Sequence, residues 1–267
     1  MIIKKQGIEV EDYSRAYKIL ATLKEGNRMI GNPAMGLKKT LSKKEASMPK
    51  FEKTDYETND SELIGEMAKL RAGIKGEEDL AEYLAKLVKY DERFKDLIIF
   101  ASLSSASEEE RQAKGYIPDS DFLVLYGDNI MILDAKNLKT SPTIPLCVDN
   151  NVIIKPNGSE LLELKSSRHY WMETLADFNI PSFNELTVIV NKSGALLFKN
   201  NGYWQSSPRP IHVTTLKEEL VEWMEKCGAS KPETSLALLV ALSKMQIKSG
   251  DVETIDFTND LRSAFGI

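Results

Sequence analysis

Glu77, Asp121, Asp134 and Lys136 have types and spacing that could support hard-metal and proton chemistry. Asp134 and Lys136 are two positions apart, so a β-strand would direct both to one face and turn Ala135 away. One of the pair could then hold a cation while the other addresses water. If a hairpin register sets Asp121 beside Asp134, their oxygens suit Mg²⁺, or Mn²⁺ in its place, with Glu77 completing or orienting the ligand shell. A metal so held would lower the pKa of its bound water. The carboxylate of Asp134 would favour the charged form of Lys136, so positioning and charge stabilisation are expected of this lysine before strict general-base work.

Each of these residues also has a plainer reading. Asp134 and Lys136 could be an edge-strand charge pair, Asp121 could start a strand, and Glu77 could favour a helix amino end. Asp119 shares strand parity with Asp121 and is its alternative, as a ligand or as support. Glu78 is the lesser alternative to Glu77, because adjacent helical side chains point about 100° apart.

The elements that must position these side chains follow from periodicity. A short amphipathic helix is expected over Glu11 to Lys24, then a loop punctuated by Gly26, Gly31, Pro33 and Gly36. The lysine-rich stretch KKTLSKKEASMPKFEKTD reads as extended or partly disordered. Helical spacing resumes in SELIGEMAKL and again in EEDLAEYLAKLVKY, with Gly73 and Gly76 interrupting between them. Strands are expected at LIIFASL, DFLVLY and NIMILDAK, the last two joined by a tight turn at Gly127 and Asp128. A further hairpin flanks the PNGS turn, and residues 167 to 178 read as a helix. LTVIV and ALLFK are expected to extend the same sheet. Helices through LKEELVEWMEK and SLALLVALSKM close the readable part, the latter more simply a buried helix than an oligomer interface.

Glu77 at a helix start, PDSDFLVLY, and ILDAKN at the end of the next strand together resemble the nuclease-related domain known as NERD, within the PD-(D/E)xK nuclease superfamily. The resemblance covers roughly residues 73 to 192. It implies a restriction-endonuclease-like α/β fold in which a mixed, curved sheet is flanked by helices. There a helical acid, a strand aspartate and an acid-x-Lys pair meet. It further implies DNA phosphodiester hydrolysis, with Glu77, Asp121, Asp134 and Lys136 as catalytic residues and the three acids as metal ligands. A nuclease-like module without activity, binding nucleic acid or protein, is the alternative. The glutamine that the family often carries on a later helix is absent from SSRHYWMETLADF, so Arg168 or His169 would contact phosphate instead, with Lys139, Lys155 and Lys165 in support. Trp171, Met172 and Leu175 are expected in the core. Tyr203 and Trp204 are expected to pack.

The composition bounds these readings. The 267 residues carry a net charge of −5, which excludes a uniformly basic nucleic-acid coat. The first 50 hold 11 Lys or Arg against 5 Asp or Glu, so they carry +6 and the remainder −11. Residues 1 to 60 are therefore expected as a basic helical and loop extension, and 61 to 267 as the nuclease-like domain with helical elaboration at its end. Two cysteines and two histidines leave no disulfide framework and no zinc cluster, so any metal must sit among carboxylates. No apolar run is long enough to span a bilayer, and a cytoplasmic protein with DNA as partner is expected. Homo-oligomerisation is left open.

Overall fold

A computed structural model describes residues 2–4, 12–47, 60–105, 119–138, 145–149, 151–190, 196–198, 208–228 and 232–247. The chain runs through β1 (Ile2–Lys4), α1 (Tyr13–Lys24), β2 (Met29–Ile30), α2 (Met35–Ser47) and α3 (Asp60–Tyr90). It continues through β3 (Ile98–Ser104), β4 (Asp119–Tyr126), β5 (Asn129–Lys136), β6 (Leu146–Asp149), β7 (Val152–Ile154) and β8 (Glu160–Glu163). Then come α4 (Arg168–Thr174), β9 (Phe183–Ile189), β10 (Leu196–Phe198), β11 (Arg209–His212), α5 (Leu216–Cys227), β12 (Glu233–Ser235) and α6 (Leu236–Lys244).

The fold is mixed α/β. Its main sheet has six strands in the order β11-β9-β5-β4-β3-β2. β3, β4 and β5 form an antiparallel meander, and β9 lies parallel to β5 on the other side. Period-two alternation sorts the apolar residues of these strands onto two faces. Ile99, Val124, Leu133 and Val188 meet Leu80 and Leu84 of α3 and Trp223 of α5 on one face. Phe100, Leu123 and Ile132 meet Ile19 of α1, Trp171 of α4 and Leu239 of α6 on the other. Each fully buried side chain of this size contributes about 1.5–3 kcal/mol. The run Leu236 to Leu242 thus seals the core as a buried helix. No helix among the described residues is long and apolar enough to cross a membrane.

Three elements differ from the sequence reading. The two expected helices around Gly73 and Gly76 are one 31-residue helix, α3. Its glycines mark close approach: a Cβ at Gly73 would stand 2.8 Å from a Leu37 methyl, and one at Gly76 would stand 2.7 Å from Asn137 Cβ. The lysine-rich stretch, expected to be extended or partly disordered, forms helix α2 as far as Ser47 and packs beside α3. The ALLFK segment does not extend the main sheet. It forms β10, which pairs with β6 in a separate sheet ordered β10-β6-β7-β8, closed by a small core of Leu146, Ile153, Leu164 and Ile189. The PNGS hairpin lies in that second sheet as β7 and β8.

Residues 12 to 47 are integral to the packing. Ala16, Ile19 and Leu23 are buried in the core, and β2 pairs with β3.

Candidate active site at the open end of the β4–β5 hairpin

The β4–β5 hairpin begins at the Gly127–Asp128 turn, where Gly127 has φ 61, and its ladder ends at the Phe122–Leu133 pair. One step further the backbones separate, and the Asp121 side chain takes the freed donor: Ala135 N–H donates to Asp121 Oδ2 at 2.7 Å. On β5, Asp134 and Lys136 share a face as their spacing requires, and Lys136 Nζ donates to Asp134 Oδ1 at 2.5 Å. Both side chains remain about one-third exposed. The pair is therefore reachable from solvent, whereas the hairpin behind it is buried.

The neighbouring strand kinks at the same level. Ser102 has φ 53, and it is skipped in the otherwise regular β3–β4 pairing. Ala101 faces the α3 side of the sheet, yet Leu103 faces the opposite side. Ser102 Oγ accepts from Met35 N–H at 3.0 Å, which ties the start of α2 to the kink. Asp119 lies there too, with Oδ2 3.6 Å from the place a Gly36 Cβ would occupy.

Helix α3 brings the fourth group. Gly76 lets the helix press against Asn137, whose Nδ2 donates to Ala72 O at 2.8 Å. Glu77, the next residue, is 6% exposed and accepts a hydrogen bond from the Ala34 backbone N–H. Burial pushes its carboxyl up to about 7, and the charge of Asp134 adds to that effect. The Ala34 N–H, Lys136 and Lys38 oppose it. Asp121 is likewise raised well above the usual carboxylate range, by desolvation first and then by Asp134 and Glu77. Glu77 thus feels the charge of Asp134, and Asp121 feels both Asp134 and Glu77. Glu78 turns outward and pairs with Lys38 at 2.7 Å, so Glu77 is the acid that α3 presents to the cluster.

The proposed phosphate contacts are placed differently. Arg168 and His169 open α4, where His169 Nε2 meets Glu173 Oε1 at 3.1 Å on an exposed surface. No hydrogen bond or ion pair among the described residues joins either one to the four candidate residues. Trp171 and Leu175 are core residues as expected, but Met172 is 46% exposed because the short helix turns it to solvent. Lys139, Tyr203 and Trp204 lie outside the described residues.

Sequence reasoning missed a buried polar chain beside the site. Glu185 of β9, 7% exposed, accepts from Ser166 Oγ at 2.5 Å, Ser167 N–H at 2.7 Å and Ser167 Oγ at 2.9 Å. Ser167 Oγ stands 3.5 Å from Ser120 Oγ, which also accepts from Trp171 Nε1 at 2.5 Å. Glu185 thus fixes the start of α4 against the residue preceding Asp121. The available signal was a glutamate at the head of the apolar LTVIV run, since such a carboxylate is buried only when its hydrogen bonds are met.

As a donor set, Glu77, Asp121 and Asp134 offer hard oxygens whose charges disfavour one another, which a divalent cation would offset. In the present arrangement Asp134 is engaged by Lys136, and among the described residues no three His, Cys, Asp or Glu side chains are drawn together tightly enough to hold a metal ion. No family model, curated protein or solved structure matches the chain.

Proposed function

We propose that the chain is a metal-dependent deoxyribonuclease of the PD-(D/E)xK kind, similar to the NERD domain, with a restriction-endonuclease-like core. The observation that carries this reading is the meeting of a helical acid, a strand aspartate and an acid-x-Lys pair where β4 and β5 separate. Asp134 raises both Glu77 and Asp121 there, and Lys136 stands 2.5 Å from Asp134.

Glu77, Asp121 and Asp134 would hold Mg²⁺ or Mn²⁺. The metal would polarise the scissile phosphate and lower the pKa of its water. Lys136 is held by Asp134 where its charge can orient a nucleophile and offset negative charge developing on the phosphate. Asp121 is anchored by Ala135 N–H and so keeps one oxygen fixed while the other remains for a ligand. Asn137 and Gly76 keep α3, and with it Glu77, against the end of β5.

A second reading is a catalytically inactive nuclease-like module that binds nucleic acid or protein. The engagement of Asp134 by Lys136, without a tight three-acid cluster among the described residues, favours it. Incubating linear, circular, single-stranded and double-stranded DNA with Mg²⁺ or Mn²⁺ separates the two. Cleavage that falls at least about 100-fold in both Asp134→Ala and Lys136→Ala supports catalysis, as loss of charge stabilisation at a transition state predicts. Salt-sensitive binding with no cleavage transfers the assignment to the second reading.

A further inference from the structure

Helix α2 starts at the carboxylate cluster. The Ala34 N–H just before it is bound to Glu77, Met35 N–H is bound to Ser102 Oγ, and Gly36 lies beside Asp119. One side of α2 is matched to α3: Leu37 packs on Gly73, Lys38 pairs with Glu78, Lys44 with Glu66 and Glu45 with Arg71. The opposite side carries Lys39 and Lys43, both exposed, and neither has a hydrogen bond or ion pair among the described residues. Four residues apart, they share a face and repel each other, an arrangement unfavourable to a helix unless an external anion takes up the charge. Their separation along the axis is about 6 Å, and exposed Ser42 adds a hydroxyl to the same face.

We propose that the Lys39–Lys43 ridge of α2 binds the phosphate backbone of DNA and leads the strand toward Asp121 and Asp134. This rests on the reading of the site as one that takes a phosphodiester. The chain is acidic overall, so a local pair of uncompensated lysines at the mouth of a carboxylate centre supplies the attraction that the centre lacks. A lipid surface is the poorer fit, because membrane-surface helices bury large apolar side chains on the face they present. On α2 the exposed residues are Lys39, Thr40, Ser42, Lys43, Glu45 and Ala46, none of them large and apolar, while Leu37 is committed to α3.

The experiment measures binding of a fluorescent duplex of mixed sequence to the full chain in EDTA, by anisotropy across a salt series. Lys39→Ala/Lys43→Ala is compared with Lys86→Ala/Lys89→Ala, which removes two exposed lysines at the far end of α3. Removal of two phosphate contacts should reduce the slope of log K against log salt by roughly 2 and weaken binding at least about 10-fold at low salt. The control should leave both unchanged. An unchanged slope in the ridge variant, an equal fall in the control, absence of wild-type binding, or ridge-dependent binding to phosphatidylserine vesicles in place of DNA would overturn the proposal. The catalytic reading fails separately: ridge-dependent binding without metal-dependent cleavage removes catalysis alone, and cleavage with ridge-independent binding removes the ridge alone.

Discussion

A Cβ built on Gly76 would stand 2.7 Å from the Cβ of Asn137, well inside the distance at which two carbons pack. This closeness, with Asn137 Nδ2 bonded to Ala72 O, sets how far α3 sinks toward the end of β5 and where Glu77 comes to rest.

Gly76→Ala should therefore destabilise the protein by about 1–3 kcal/mol, because overpacking outweighs the gain in helix propensity. Gly65, on the same helix, has nothing among the described residues within 4 Å of an added Cβ. Gly65→Ala should stabilise by about 0.4–1 kcal/mol. Urea unfolding of both variants checks the contrast, and equal stabilisation by the two would remove the close-approach explanation.

Glu77 links stability to pH. Its folded value, raised to about 7 chiefly by burial, lies above the ordinary 4.5. The folded state therefore holds the proton more tightly, and this contribution is fully present below about pH 4.5 and lost as pH rises through about 7. Glu77→Gln should be the more stable protein above neutrality, by up to roughly 3 kcal/mol, with the advantage fading toward pH 4. Denaturant midpoints at pH 4, 6 and 8 measure it. A difference independent of pH would contradict the buried carboxyl.

Ser120 accepts from the indole N–H of Trp171, which is fully buried. Ser120→Ala leaves that donor without its partner and should cost about 1–3 kcal/mol. The Trp171 environment changes with it, so a shift in tryptophan emission should accompany the loss of stability. Wild-type stability with unaltered emission would show that the bond contributes nothing.

Much of the site was legible because strand alternation is a local rule. Asp134 and Lys136 had to share a face, and Gly127 and Asp128 had to turn the hairpin that carries Asp121. The Gly73 and Gly76 signals were ambiguous for a physical reason: a glycine that breaks a helix and one that admits a neighbour look alike until the neighbour is known. Leu37 and Asn137, distant in sequence, decide for the second. The same limit hid α2, whose lysines suggested an extended solvated stretch. Its helix is matched by Gly73, Glu66, Arg71 and Glu78 of α3, and such partners cannot be seen in a local window. Glu185 was missed because its donors, Ser166 and Ser167, come from the far side of a helix and a turn. Arg168 and His169 stand in the segment where the resemblance leads one to expect a glutamine, whereas the short helix that carries them commits its packing to Trp171.

Residues near the two ends of the described chain depend on one another. β1 pairs in register with β12, Ile2 opposite Glu233, and Arg15 Nη1 donates to Ser243 O while Lys244 Nζ reaches Asp12. During synthesis, α1 and β1 therefore emerge more than 200 residues before their partners. They must wait through the folding of the meander and its helices, and closing so long a loop costs entropy before any contact rewards it. Among the described helices α6 is made last and packs on the first, so a chain cut before Pro232 leaves the face of α1 that carries Ala16, Ile19 and Leu23 without Leu239 and its neighbours.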